Sequence, residues 1–115
     1  MEITFDTTVT PACLRFAGEM TIYAAAGVHR EMFPRFEICN EMTFDLSAVE
    51  EIDSAGLQLL LLARQHAEAI GKAFALAAIS PAVGELLELF GLGAFFGVPA
   101  LGAPIADMSD ADEPA

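Results

Sequence analysis

Ser54 is the residue whose type and position most suggest chemistry. It follows Asp53 at the end of an extended segment and precedes a long run of good helix formers. A serine hydroxyl at such a point can accept a hydrogen bond from the amide of Gly56 or Leu57, which is the ordinary capping role. A helix N-terminus also favours a phosphate, because it carries partial positive charge and unpaired N–H groups. Gly56 has no packing reason evident from the sequence and leaves the backbone open above Ser54, so both interpretations stay open.

The other residues with reactive side chains form no recognisable site. His29 and His66 lie far apart in the sequence and have no cysteine or aspartate at ligand spacing. Glu50 and Glu51 are adjacent in a strand-to-loop segment, where neighbouring side chains point apart, so they do not make a catalytic pair. The two cysteines are too few for a disulfide framework and suit small core positions. We therefore predict no metal site and no cofactor.

The elements that position Ser54 follow from the pattern of apolar residues. Short extended runs alternate with longer amphipathic runs, which predicts an α/β fold with a mixed sheet of four or five strands and helices packed against it. The pattern leaves open whether the helices cover one face or both. The predicted strands are Ile3 to Asp6, Ala12 to Phe16, Met42 to Leu46, Lys72 to Ala78 and, as a further strand, Phe95 to Val98. The predicted helices begin at Thr21, run from Ala55 to Ile70 with Gly71 just beyond, and run from Ser80 to Gly91.

Single residues mark where several of these elements begin or end. Gly18 is predicted to end the second strand, and Thr21 is predicted to cap the first helix with its hydroxyl. Pro34 is predicted to stop that helix or to force a turn, because proline lacks a backbone N–H. Ser80 followed by Pro81 is a helix start signal, with the hydroxyl as the cap and proline at the first helical position.

The composition is that of one folded and acidic domain. The 115 residues are 55% hydrophobic, and 17 acidic against five basic residues give a net charge of −12. Such a charge repels phosphate backbones and anionic lipid, which argues against nucleic acid and acidic membrane surfaces as partners. Residues 89–106 carry no charge over a length that could span a membrane, but their glycines and prolines argue against a spanning helix. No signal-peptide pattern opens the sequence, so we predict a soluble, cytoplasmic protein.

Three segments together resemble one family, the STAS domain found in bacterial anti-sigma factor antagonists. They are D-L-S-A-V-E-E-I-D-S-A-G-L-Q-L-L at residues 45–60, I-S-P-A-V-G-E-L-L-E-L-F-G-L at 79–92 and F-A-G-E-M-T-I-Y-A-A-A at 16–26. The resemblance covers residues 3–98. We therefore predict a STAS domain over residues 1–98, followed by a flexible tail over 99–115 that is rich in Gly, Pro and Ala and then acidic.

The resemblance implies a non-catalytic regulatory binding protein of the bacterial cytoplasm. In these antagonists the serine directly after the motif's aspartate is phosphorylated by a partner anti-sigma factor that is also a serine kinase. The unphosphorylated form binds that partner and frees the sigma factor for transcription, and a phosphatase resets this signal transduction cycle. By position the acceptor is Ser54. The resemblance further implies a phosphoprotein that is a monomer or weak dimer and does not insert into the membrane. The residues predicted to contact the partner are Asp53, Ser54, Ala55, Gly56, Gln58, Thr21 and Tyr23.

Three alternatives stay open at this point. Thr21 stands where the sporulation-type antagonists usually carry an aspartate, and this resembles the STAS proteins of chemotaxis or signalling-kinase clusters. A STAS subunit that docks onto the ATPase of a lipid-transport ABC system would use the same motif without phosphorylation. A self-phosphorylating receiver domain could use Asp45 as its acceptor, but Asp6 has no acidic neighbour and the only lysine, Lys72, comes too early in the chain.

Overall fold

Four strands and three helices make up residues 1–97, which are the residues that the computed structural model describes. The strands are β1 (Glu2–Asp6), β2 (Ala12–Met20), β3 (Glu41–Ile52) and β4 (Ala73–Ile79). The helices are α1 (Ala25–Phe36), α2 (Ser54–Ala69) and α3 (Pro81–Leu89). The predicted α/β class with a mixed sheet is confirmed. Among these described helices, none is both long and apolar enough to cross a membrane.

The sheet has the order β1-β2-β3-β4, in which β1 runs antiparallel to β2 and the other pairs are parallel. Each of the three parallel strands is followed by a helix. Met20 and Ile52, the last residues of β2 and β3, lie opposite each other and mark one end of the sheet, here called the carboxyl edge, whereas β4 ends at Ile79 opposite Leu46. α2 begins two residues after Ile52 and α1 begins five residues after Met20, so Ser54 lies at the carboxyl edge.

One face of the sheet is buried beneath the helices. Leu14, Phe44 and Leu76 lie opposite one another in register across β2, β3 and β4, and the first two are fully buried. Side chains alternate along a strand, so Thr43 and Ala75, which are also in register, belong to the opposite face. All three helices contribute to one core with this buried face, through Val28, Met32, Phe36, Leu57, Leu60, Ala63, Ala67, Val83 and Leu87. The helices therefore cover a single face, which the sequence pattern left open.

The local signals at two helix ends are confirmed. Ser80 is the N-cap of α3, and its buried hydroxyl accepts a hydrogen bond from the Val83 amide at 3.2 Å. Pro81 is the first helical residue, where its missing N–H costs nothing. Gly71 lies just beyond α2 with a φ of +71°, a left-handed conformation that ends helices and favours glycine.

β2 and β3 run further than the sequence predicts. β2 passes through Gly18 to Met20, and β3 continues to Ile52, because the two strands stay paired to their ends. Gly18 has a φ of +110°, and the register between the strands shifts directly after it. Glycine tolerates this conformation without steric cost, so the strand absorbs an irregularity at Gly18 where the sequence predicted its end.

α1 differs from its prediction at both ends. It begins at Ala25, and the Ala24 amide before it donates to the Thr21 carbonyl at 2.9 Å in a turn, so the Thr21 hydroxyl is not its cap. At the other end α1 passes through Pro34 to Phe36, so the predicted stop at the proline is wrong. Pro34 lies in the last turn, where its missing N–H removes a single helical hydrogen bond, and the fully buried Phe36 holds that turn against the core.

The described chain ends in a helical turn where the sequence predicted a further strand from Phe95 to Val98. The Phe96 amide donates to the Leu92 carbonyl at 3.2 Å, and the Phe96 ring is buried in the core. The turn therefore replaces the predicted strand over residues 95–97, because it is the conformation that buries this ring. Val98 and the predicted tail lie outside the described residues.

Candidate functional site

The start of α2 is held by the ends of two paired strands. β3 ends at Ile52, and Asp53 alone separates it from Ser54, the first residue of α2. The Asp53 amide donates to the Met20 carbonyl at 3.4 Å, which continues the pairing between β2 and β3. Because no loop intervenes, the paired strands fix the position of Ser54.

Asp53 joins the start of α2 to the loop between β2 and α1. Its carboxylate accepts from the Gly56 amide through Oδ1 at 3.1 Å and from the Ile22 amide through Oδ2 at 3.0 Å. Asp53 is therefore the N-cap of α2, so the capping interpretation of the Ser54 hydroxyl, which the sequence left open, does not hold. Asp53 is the better cap because its two carboxylate oxygens bind the Gly56 amide of the helix and the Ile22 amide of the loop at the same time. The single hydroxyl oxygen of Ser54 does not bind both.

The Asp53 carboxylate is held in its charged form. Burial acts to raise its pKa, but the hydrogen bonds from the backbone amides of Gly56 and Ile22 act in the opposite direction and outweigh it. The net result is a pKa below the ordinary value for aspartate. A charged carboxylate beside Ser54 is thus a fixed feature of the site at neutral pH.

Asp53→Asn is expected to make thermal stability less sensitive to acid. Because the pKa of Asp53 is lower in the folded than in the unfolded chain, its charge stabilises the fold above the unfolded value of about 3.9. This contribution is lost as the pH falls through the folded value. Melting temperatures should therefore differ most near neutral pH, with the variant lower, and converge as the pH falls through the lowered pKa of Asp53. Melting curves that stay parallel over this range would contradict the assignment.

Gly56 lets α2 pack directly onto the end of β2. A Cβ atom at this position would overlap the Met20 carbonyl oxygen and would lie 2.7 Å from Cγ1 of Ile52. Both distances are shorter than real Cβ contacts, so no larger residue fits without a shift of backbone. The sequence interpretation that Gly56 has no packing reason is therefore wrong, since the reason lies in a strand that ends 36 residues earlier in the chain.

Ser54 presents a hydroxyl that the fold does not use. Its side chain is exposed and makes no hydrogen bond within residues 1–97. The Gly56 and Leu57 amides, which would be the donors if Ser54 were the cap, donate instead to the side chain and the carbonyl of Asp53. The Ser54 hydroxyl is thus accessible to an enzyme, and a phosphate on it would project beside a carboxylate.

Ser80→Ala and Ser54→Ala form a matched pair that separates a structural from a non-structural serine. Ser80→Ala should lower the free energy of unfolding by about 1–2 kcal/mol, because it removes the buried cap of α3. Ser54→Ala should change it by less than about 0.5 kcal/mol, because the exposed hydroxyl holds nothing. Urea denaturation followed by circular dichroism measures both values. Equal losses in the two variants would show that Ser54 has a structural role that the contacts do not reveal.

The loop between β2 and α1 carries two large apolar side chains into solvent beside Ser54. Ile22, whose amide is bonded to Asp53, is 66% exposed, and Tyr23 is 97% exposed. Thr21, the third predicted contact residue of this loop, is half-buried. Ile22 was not among the residues predicted to contact the partner, because the sequence predicted a helix from Thr21, whereas α1 begins only at Ala25.

The remaining predicted contact residues lie along the first turns of α2. Ala55 and Gln58 line a groove between α1 and α2, and Gln58 is exposed. Gly56 is buried, so its role is to place the helix. Asp53 thus joins the start of α2 to Ile22 of the β2–α1 loop, whereas Tyr23 of the same loop lines a separate hollow with Met1, Ile3 and Glu31.

A comparison with protein-family models matches residues 2–108 of the chain to the STAS domain. The chain belongs to the STAS domain family. This match covers nearly the whole chain and includes both the Asp53–Gly56 turn and the Ser80–Pro81 helix start. No curated protein matched the sequence in a separate comparison.

Solved structures share the fold of this STAS domain at low sequence identity. An anti-sigma factor antagonist from Mycobacterium paratuberculosis has a TM-score of 0.72 and 22% identity, with 95% of this chain and 94% of that chain covered. The Bacillus cell fate determinant SpoIIAA in its phosphorylated form has a TM-score of 0.65 and 17% identity, covering 95% and 97%. A sulfate transporter family protein from Wolinella succinogenes has a TM-score of 0.57 and 18% identity, covering 74% and 70%.

Asp45, the acceptor that a receiver domain would need, is part of an ion-pair network in this STAS domain. Arg15 lies between Asp6 and Asp45, at 3.1 Å and 3.5 Å from their carboxylates. The Ser47 hydroxyl donates to Asp45 at 2.6 Å, and this bond is the main cause that lowers the pKa of Asp45. Lys72 donates its Nζ to a backbone carbonyl. The receiver alternative is set aside, because the chain belongs to another family.

His29 and His66 contribute to packing between α1 and α2. The Phe33 ring lies between them, with centroid distances of 4.4 Å to His29 and 4.9 Å to His66. Over residues 1–97, no group of three His, Cys, Asp or Glu side chains could hold a metal ion. The two histidines are therefore joined by an aromatic contact, which their wide separation in sequence did not indicate.

Proposed function

We propose that this STAS domain is an anti-sigma factor antagonist of the bacterial cytoplasm that binds a partner anti-sigma factor. In this proposal the partner is also a serine kinase, it phosphorylates Ser54, and a phosphatase restores the binding-competent form. The observation that carries the proposal is the exposed Ser54 hydroxyl, which is fixed in position by Asp53 and has no structural task of its own. The structural neighbours that are anti-sigma factor antagonists support the same assignment.

The proposed switch acts by charge at a fixed position. A phosphate adds about −1.5 to −2 charges at pH 7. It would stand next to the Asp53 carboxylate and close in sequence to Glu50 and Glu51, which are both exposed. The fold should tolerate this charge, because water solvates it and the Ser54 hydroxyl holds no other group. A docked partner should not tolerate the charge, because the phosphate would lose its hydration water at the interface without gaining a group of opposite charge.

The proposed contact surface spans the first turns of α2 and the β2–α1 loop. The exposed members, Ser54, Gln58 and Tyr23, are in reach of a partner, while Asp53 and Gly56 hold the two segments in place. Thr21 and Ala55, the remaining members, are half-buried. The two segments are held together by Asp53, so the proposed surface does not depend on Ser54 for its geometry.

Mass spectrometry after a kinase reaction tests the proposal. The full chain is incubated with ATP and each anti-sigma factor kinase encoded in the same genome, and the modified residue is located by peptide fragmentation. We expect one phosphate, on Ser54, and none on the Ser54→Ala variant, which folds normally. Phosphate found on Ser47 in place of Ser54, or transfer that persists in Ser54→Ala, would contradict the assignment of the acceptor.

One observation favours a second candidate function. The Gly56 amide at the α2 N-terminus is already occupied by Asp53, so this amide is not free to receive a phosphate. A non-switching STAS subunit, of a chemotaxis-linked signalling cluster or of a lipid-transport ABC system, would present the same surface without modification. A pull-down with wild-type and Ser54→Asp chains separates the two functions. If both chains recover a transporter ATPase or a cluster kinase equally, the result favours the second function.

A further inference from the structure

A groove of about 540 Å³ runs between α1 and α2, next to Ser54. Leu59 and Leu62 form its floor, and Leu62 is 40% exposed although it is a leucine on a helix that packs against the core. Alanines line the walls, at positions 25 and 26 of α1 and position 55 of α2. Small walls above an apolar floor leave room for another backbone to approach closely and to insert large side chains.

The dimensions of the groove fit a short helix. Its lining residues on α2 extend from Ala55 to Leu62, which corresponds to a length of roughly 10 Å at the rise of an α-helix. α1 and α2 both begin near the carboxyl edge and pack against each other, and the groove lies between their first turns. A partner helix of about three turns would place two or three apolar side chains on the floor.

The charges around the groove distinguish it from the rest of this acidic protein. Arg30 lies on its rim, and no acidic residue lines it. Within residues 1–97, Arg15, Arg35 and Arg64 each have a carboxylate partner and Lys72 donates to a carbonyl, whereas Arg30 makes no ion pair. The one uncommitted basic side chain of the described residues is therefore located at an apolar groove, where it can receive a carboxylate from a partner.

We infer that this groove binds an amphipathic helix of the partner, which inserts an apolar stripe between α1 and α2 and pairs an acidic residue with Arg30. The inference rests on the proposed function, since it assigns the helix to the partner that senses Ser54. Ser54 stands one turn before Gln58, a groove-lining residue, so a phosphate there would face the acidic helix. Repulsion between the two negative groups then links phosphorylation to release of the helix.

Selection from a displayed library of helical 14-residue peptides, on the immobilised full chain, tests the groove. We expect enriched peptides to carry apolar residues at positions i, i+4 and i+7 with one Asp or Glu beside them. Fluorescence anisotropy should show binding at least about tenfold weaker to Ala26→Arg, which fills the groove, and to Arg30→Glu, which reverses its charge. Leu89→Gln, which alters a 76% exposed leucine on α3, should bind as wild type does.

A charge swap makes the test specific. Replacing the peptide's acidic residue with lysine should weaken binding to the wild-type chain and restore binding to Arg30→Glu. Enriched peptides that bind Ala26→Arg as tightly as wild type, or failure of the charge swap, would overturn the groove assignment. No kinase and no ATP are present, so this failure is distinct from a failure of Ser54 phosphorylation. A groove-binding peptide that leaves the anti-sigma factor bound would overturn the link to that partner.

Discussion

Replacing Gly56 with alanine is expected to destabilise the domain by about 2–3 kcal/mol, as overpacking of a tight contact does. The added Cβ would overlap the Met20 carbonyl and press against Ile52, and the Met20 carbonyl belongs to the last residue of a paired strand. Neither neighbour is the free end of a flexible side chain, so relief requires α2 to move away from β2. Urea denaturation of the purified chain measures the loss.

Gly27→Ala is the matched control for Gly56→Ala. Gly27 also lies within a helix, and a Cβ there would meet nothing closer than the end of the Arg30 side chain at 3.9 Å. This substitution should stabilise the domain by about 0.5–1 kcal/mol, because alanine is the better helix former. Equal effects of the two substitutions would show that the tight contact at Gly56 does not exist in solution.

Movement of α2 in Gly56→Ala should also reach the β2–α1 loop. Asp53 accepts hydrogen bonds from Gly56 on one side and Ile22 on the other, so a displaced helix start would pull on both. Partner binding should therefore weaken in Gly56→Ala even at temperatures where the chain remains folded. In Gly27→Ala the partner affinity should be preserved, and the stability should rise.

Ser54→Asp is expected to weaken binding of the partner anti-sigma factor by about 100-fold, since an uncompensated charge at an interface costs a few kcal/mol. Ser54→Ala should bind as tightly as the unphosphorylated chain, because it removes no contact that the fold needs. Isothermal titration calorimetry with the purified partner compares the three chains directly. The difference between Asp and Ala at one exposed position isolates the effect of charge.

Gln65→Glu controls for the general effect of a further negative charge. Gln65 is exposed on the same helix, three turns away from Ser54, and its replacement adds the same charge to the chain. Partner affinity should be unchanged in this variant, because surface charges at that distance are largely screened by salt. Weakening as large as that in Ser54→Asp would mean that net charge, and not the position of the phosphate, controls binding.

The parts of the fold that the sequence predicted correctly are those fixed by neighbouring residues. Ser80 and Pro81 start α3 through contacts within one turn, and Gly71 follows the end of α2 in the left-handed conformation that glycine favours. The wrong predictions concern residues whose role depends on distant contacts. Pro34 remains helical because Phe36 is buried beneath it, and Gly18 stays within β2 because β3 continues to pair with that strand.

The predictions for the candidate site divide in the same way, into those decided by neighbouring residues and those decided by distant contacts. The sequence located Ser54 and the aspartate before it, but it left open whether the Ser54 hydroxyl caps α2 and did not indicate that Asp53 is the cap. The partner that decides this is the Ile22 amide, 31 residues earlier in the chain, which only the folded structure brings to Asp53. The sequence does not predict the role of Arg30 either. Arg30 is available to a partner because the other arginines of the described residues, and not Arg30, form ion pairs in the folded structure.

Calorimetry on the phosphorylated chain measures whether phosphate on Ser54 controls access of the partner. The chain is phosphorylated in vitro by the anti-sigma factor kinase that modifies Ser54, purified, and titrated with the partner before and after treatment with a serine phosphatase. We expect affinity about 100-fold weaker in the phosphorylated form and full recovery after the phosphatase. Equal affinity of the two forms would show that phosphate on Ser54 is not the switch.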